Sequence, residues 1–242
     1  MTGNAQGLQY EFNNDTAYFK KSIEDDSALE SSGTRIYNQL AMRYNYITPS
    51  WFYAIPEVSV RTVNTFYDQD SQNGRGLSSD DLEKSVVVPQ LSFATGITFE
   101  KEGKYLQSIS PRAFYAYAPY RNQENHPNFD TTTASISYDQ LFNPYRFYGH
   151  DRLDDNNFLS LGVSYNLIDP EGLERIRASV GQSYYFSDRR VSLNQQPDEF
   201  DTQHQTGPVV SLSSQLNQNF TITANSAWMS NGDNVQRDFQ AY

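Results

Sequence analysis

Apolar and polar positions alternate with a period of two along almost the whole chain. Leu159, Leu161, Val163, Tyr165 and Leu167 are separated by Ser160, Gly162, Ser164 and Asn166. Ile176, Ala178, Val180, Tyr184 and Phe186 lie opposite Arg175, Arg177, Ser179, Gly181 and Ser183. The same rhythm sets Val87, Pro89, Leu91, Phe93, Ile97 and Phe99 against Gln90, Ser92, Gly96 and Thr98. It also sets Ile36, Leu40, Met42, Tyr44 and Tyr46 against Arg35, Gln39, Arg43 and Asn45. Successive side chains of a strand point to opposite faces, so each run predicts a strand with one apolar and one polar face. The runs span about 10–15 residues, against the roughly 5–6 of globular sheets. Arg and Glu recur within them, which suits a wet lumen better than a dry core.

Short turns are predicted near Thr48–Ser50, Lys101–Gly103, Asn143–Pro144, Asp169–Gly172 and Asn217–Asn219. Longer polar loops fall near 19–33, 68–85, 119–132 and 188–205, with shorter ones near 150–156 and 231–236. Asp169-Pro170-Glu171-Gly172 joins a Pro that sets φ to a Gly free to take positive φ. Alternation of short turns with long loops is the arrangement of outer-membrane barrels. The fold expected is therefore all-β: an antiparallel transmembrane β-barrel of outer-membrane type, as a partial wall of about 11–12 long strands with short periplasmic turns and long extracellular loops. A soluble sandwich would alternate too, with its apolar face inward. Pro56, Pro89, Pro111 and Pro208 fall at or inside strands, so bulges or strand ends are expected there. No repeat beyond the hairpin rhythm and no domain boundary is visible.

Composition narrows the partners. The chain has 242 residues and a formal net charge of -11, and such an acidic surface is repelled by phosphate backbones, so no nucleic acid is expected. Mean hydropathy is -0.71, which a barrel tolerates because only alternate strand residues meet lipid. Cysteine is absent, so thiol and disulfide chemistry are too. No apolar run approaches the length of a transmembrane helix. The start Met1-Thr2-Gly3-Asn4 lacks signal-peptide regions and the end Asp238–Tyr242 reads as the start of a strand, so a fragment is expected.

Catalytic chemistry is hard to find. His126, His150 and His204 are scattered through loops without a second ligand nearby, and are expected to be solvated rather than metal-binding. The pairs Asp25–Asp26, Asp80–Asp81 and Asp154–Asp155 sit in polar loops and are expected to be solvated. Asp68–Gly74 has its Gly misplaced for a calcium loop and lacks the closing Glu. Asn73-Gly74-Arg75-Gly76 has no strand-to-helix context for cradling phosphate. No catalytic residue, metal or cofactor is expected.

One loop differs from the rest. Pro119-Tyr120-Arg121-Asn122-Gln123, running to Asp130-Thr131, concentrates hydrogen-bonding groups that need partners if the loop folds over a lumen. Asp130, Asp139 and Asp151 are candidate carboxylates for Arg121, Arg146 and Arg152. Two readings stand: a self-satisfied network that shapes the loop, or a docking surface for a plug or border of a lipid path. Tyr120, Arg121, Asn122, Gln123, Asp130, Arg146, Asp151 and Arg152 are the candidate lumen and partner contacts.

The ordered segments Ser110-Pro-Arg112, Tyr117-Ala-Pro-Tyr-Arg-Asn-Gln123, Phe129-Asp-Thr131, Leu141-Phe142, Arg146-Phe-Tyr-Gly149, Asp151-Arg-Leu153 and Gly181-Gln-Ser-Tyr-Tyr-Phe186 resemble the barrel domain of the LptD family, the outer-membrane lipopolysaccharide-assembly proteins. The resemblance is strongest over 105–187 and looser elsewhere, including Gly33-Thr-Arg35. It implies a very large barrel plugged by a lipoprotein, LptE, and a periplasmic jellyroll fed with lipopolysaccharide by a protein bridge. Lipid then leaves between the first and last strands. Residues 1–242 would be a central stretch of that wall, without the jellyroll, the terminal strands or the family's disulfide-forming cysteines. The implied role is non-catalytic insertion of lipopolysaccharide into the outer leaflet, by an integral protein of the Gram-negative outer membrane. The partners implied are lipopolysaccharide, outer-membrane lipid, an LptE-like plug, and bridge components reached through the absent domain. Such a wall alone either closes into a smaller barrel or leaves two edges open. The alternatives are a general porin or solute channel and a soluble carbohydrate-binding β-sandwich.

Overall fold

The computed structural model describes residues 2–5, 7–20, 32–48, 51–67, 82–124, 126–193, 199–217, 219–229 and 234–241. The pairs Asp25–Asp26 and Asp80–Asp81 and the runs 68–74 and 73–76 lie outside them. One antiparallel sheet dominates. Its neighbours follow chain order: β1 (Thr2–Ala5), β2 (Leu8–Phe19), β3 (Gly33–Tyr44), β5 (Phe52–Tyr67), β6 (Glu83–Ile97), β8 (Leu106–Ala118), β11 (Asn156–Ile168), β12 (Glu174–Tyr185), β13 (Thr206–Asn217), β14 (Phe220–Met229) and β15 (Asn234–Ala241). The short β4 (Tyr46–Ile47) pairs with β5, and β7 (Phe99–Lys101) with β8. Among the described residues β1 and β15 have one neighbour each, so the sheet is an open wall. The described residues also include a 3-10 turn at Gln140–Phe142 and a helical turn at Glu199–Thr202.

The alternation is inside out relative to a soluble core. On β5 Val58 and Val60 are exposed, while Ser59, Arg61 and Thr65 are buried. On β6 Val87, Leu91 and Phe93 are exposed, and Gln90 and Ser92 are buried. Leu40, Met42, Leu161, Val163, Ile176 and Val180 continue the apolar outer face. A single sheet with this polarity, in which β2, β3, β5 and β6 have 12–16 residues, is the wall of a transmembrane barrel, for which about 9–11 residues cross the hydrocarbon. The two-sheet sandwich is thereby excluded. Short connections (6–7, 45–51, 98–105, 169–173 and 218–219) alternate with long ones (20–32, 68–82, 119–155 and 186–205), the last connection, 230–233, being short as well.

The strand prolines sit where a neighbour is missing. β3 leaves β5 after Arg43↔Glu57 and β4 begins at Tyr46↔Ala54, so Pro56 falls in the gap. Pro111 falls between Gly96↔Arg112 and Phe99↔Ile109. Pro208 lies in the register shift between Thr206 and Val209, and Pro89 lies past the last β6–β8 pair at Leu91↔Tyr117. An absent N–H costs no ladder bond at such breaks.

The expected hairpin at Asn143–Pro144 is not part of the wall. The described residues of 119–155 instead fold across the polar face, and among them β9 (Thr132–Thr133) pairs with β10 (Phe147–Tyr148). Ala134, Ile136 and Tyr138 do alternate, but their burial is against the wall: Tyr138 and Leu141 cluster with Val209 and Ala227. Gly162 and Gly181 make room for this approach. A Cβ on Gly162 would lie 2.8 Å from Phe142 Cζ, and one on Gly181 2.9 Å from Leu141 Cδ1. At the other end Leu153 joins Tyr37, Val63, Val86, Val88 and Ala118 in a second cluster.

Candidate functional site

The segment 119–155 is held to the wall by ions that the barrel's polar face buries. Arg35 of β3 is 2% exposed, and its Nη1 donates to Asp151 Oδ1 at 2.8 Å and to Asp130. Asp151 Oδ2 accepts from the backbone N–H groups of Phe129, Asp130 and Thr131 at 2.9, 2.9 and 3.1 Å, and from the Thr131 hydroxyl. Burial alone would raise the Asp151 carboxyl. The Asp130 N–H, the Arg35 guanidinium and the Thr131 hydroxyl outweigh it and hold the group below the usual carboxylate range. Gly149, at φ +97°, lets the chain turn tightly beside Thr131. Tyr37 stacks on His150 with ring centroids 3.9 Å apart, and Phe19 stacks on Phe129.

A second ionic group joins two long connections. Arg146 pairs with Asp154, Asp155 and Asp201 and donates to the Val191 carbonyl at 2.7 Å. Arg61 of β5 approaches Asp154 at 3.7 Å and donates to Gln90 Oε1 at 2.7 Å. Burial raises the Asp154 carboxyl against Arg146 and Arg61. Asp155 accepts from the backbone N–H groups of Arg190 and Val191. The described parts of segments 119–155 and 186–205 therefore form one cap over the polar face.

The remaining sequence candidates fall into place around these groups. Arg152 donates to the carbonyls of Pro127, His126, Asp151 and Ser192. Gln123 exchanges paired hydrogen bonds with the Leu153 backbone, Nε2 to O at 2.7 Å and N to Oε1 at 2.8 Å. The Tyr120 ring lies under the Arg190 guanidinium, 3.8 Å from its carbon. Asn122 accepts from the Glu124 N–H, and Arg121 is exposed.

The pairing differs from the expected one. Asp130 and Asp151 serve Arg35, and Asp139 serves Arg112 at 2.9 Å; none pairs with Arg121, Arg146 or Arg152. Asp154 and Asp155 are buried, not solvated, because the cap encloses them. His126 is buried too, and burial with the nearby Arg152 pushes it down to about 4. Arg61 and Tyr145 were not singled out in the sequence, and Arg112 and Tyr138 were given no site role there. The signal for the arginines was there, as cations in the polar register of strands. Among the described residues no cluster of three or more His, Asp or Glu could hold a metal ion.

The chain matches the family described as LptD, LPS transport system D, over residues 1–241. It is 76% identical over its whole length to the LPS-assembly protein LptD of Acinetobacter baumannii, of which it covers 29%. It is 68% identical to that of Acinetobacter baylyi, of which it covers 30%. Over 88% of its length it is 40% identical to that of Psychrobacter cryohalolentis, covering 22% of that protein. It thus spans under a third of the length of these curated relatives. With an apolar outer face, a buried ionic lining and a family match over residues 1–241, the chain belongs to the LptD family.

Proposed function

We propose that this chain is a stretch of the barrel domain of an outer-membrane translocon that inserts lipopolysaccharide into the outer leaflet, and that its own work is mechanical rather than catalytic. The carrying observation is the reversed polarity of the wall: Val58 and Val60 face outward while Arg35 and Arg61 are buried against the cap. The relatives' shared description as LPS-assembly proteins supports the cargo. In this reading the wall is integral to the Gram-negative outer membrane, and the cap of 119–155 and 186–205 narrows the lumen at the long-connection end. Gln123, Arg146, Asp151 and Arg152 act as its fixings, and Asp130 joins them through Arg35. Tyr120, Arg121 and Asn122, at the more open rim, are the contacts offered to a plug lipoprotein of the LptE kind. Bridge components would be met through a domain outside these residues.

A porin reading draws on one observation, the inward-folded segment itself, which resembles a constriction loop. Purification of the tagged chain from outer membranes in mild detergent separates the two. A stoichiometric small lipoprotein supports the translocon. A membrane-embedded chain that conducts ions in a planar bilayer without a partner supports the porin. Recovery in the soluble fraction would overturn both.

A further inference from the structure

The wall has a step. β6 pairs with β5 along its full length, from Phe52↔Ile97 to Phe66↔Glu83. Its pairing with β8 stops at Leu91↔Tyr117, because the chain leaves the wall at Pro119 to form the cap. Beyond Leu91, β6 has no strand on its β8 side among the described residues. On the outer face this step opens into a groove of about 480 Å³, lined by Leu40, Val60, Pro89, Leu91, Tyr117 and Pro119. Leu40, Val60, Leu91 and Tyr117 are exposed.

Given the proposal that this face lies in a membrane, we infer that the groove holds one acyl chain of an outer-leaflet lipid. Three features point to that occupant. The lining is mostly hydrocarbon, with Ser59, Gln90 and the Tyr117 hydroxyl as its polar members, and an empty recess in it would forfeit dispersion contacts that a flexible chain supplies. The two prolines on its lips have no N–H, so two donors that would be stranded in hydrocarbon are absent. The step also lies at the end of the long connections, the outer side of such barrels. The groove's advantage over the flat wall is the extra dispersion contact on its sides.

The test uses the chain in vesicles with lipopolysaccharide in the outer leaflet and phospholipid in the inner, one or the other carrying a diazirine on an acyl chain. After irradiation, labelled peptides are mapped. Labelling by lipopolysaccharide should concentrate on peptides containing Val60, Leu91 and Tyr117, at least several-fold over Val163 of β11. Val60→Trp, which fills the groove, should abolish the excess, while Val163→Trp should leave it. Should Val60→Trp fail to give the heat-modifiable gel mobility of a folded barrel, the wild-type map decides alone. Labelling spread evenly over the outer face, or an excess from inner-leaflet phospholipid, would overturn the groove assignment but leave the wall in the membrane. Absence of labelling anywhere on the outer face would overturn the membrane reading itself.

Discussion

Arg35 and Asp151, 116 residues apart, form a buried ion pair 2.8 Å long between β3 and the cap. Removing one partner of such a pair strands the other charge, at a cost of about 3–5 kcal/mol. Arg35→Ala is therefore expected to destabilise the chain by that order, and Asp151→Ala similarly, since it also strands the N–H groups of Phe129, Asp130 and Thr131. The double variant should lose much less than the sum. Thermal unfolding in detergent measures the cycle, and strict additivity would show that the two residues act independently.

Gly149 and Gly172 separate backbone strain from crowding. Both have positive φ, at +97° and +85°. A Cβ on Gly149 would lie 2.6 Å from Thr131 Oγ1 and 2.9 Å from Thr131 Cα, whereas one on Gly172 meets nothing within 4 Å. Gly172→Ala should cost about 1 kcal/mol, the left-handed penalty alone. Gly149→Ala should cost clearly more, because it also pushes Thr131 away from Asp151. Equal shifts in melting temperature would mean that the Thr131 contact is unimportant.

How much of this was legible in the sequence follows from what each feature depends on. The wall strands were readable because period-two patterning is local and each apolar face meets one uniform medium. Turns such as Asp169–Gly172 were readable for the same reason: the Asp169 carboxylate accepts from the N–H groups of Glu171 and Leu173 within the turn itself. The cap was not. Ala134, Ile136 and Tyr138 alternate like a strand, and only the glycines at 162 and 181, far along the chain, show that they pack across the wall. The cap carboxylates that pair with Arg35 and Arg61 lie 95 or 116 and 93 residues away, respectively. Nothing local distinguishes Asp151 from Asp139 as the carboxylate that reaches Arg35.

The glycine gap itself is testable. Gly162→Val puts its first side-chain carbon 2.8 Å from Phe142 and 2.9 Å from Tyr138, and the branches reach further. The strand should tolerate Val, a good strand former, while the turn at Gln140–Phe142 lifts off. The expected outcome is a wall that keeps its heat-modifiable mobility while protease cuts within 134–146 at least several-fold faster. Loss of the folded band instead would mean that the turn is needed for the wall to form.

Acid should loosen the cap in two separate windows. His126 is neutral when buried, with its pKa pushed down to about 4 from 6.5, so between those values the unfolded chain binds more protons than the folded one. Its stabilising contribution is complete above 6.5 and declines as pH falls from there towards 4. Asp151 acts lower: its carboxyl is held below its ordinary value of 3.8, so its contribution is present above that value and is lost as pH falls through the folded-state pKa. Proteolysis of the 119–155 segment should therefore accelerate first between pH 6.5 and about 4, and again below 3.8. His126→Phe should erase the first rise and keep the second, while Asp151→Asn should do the reverse from a less stable starting point. A first rise that persists in His126→Phe would assign it to another group, with His150, half-buried against Tyr37 and also lowered by burial and by Arg35, next to be substituted.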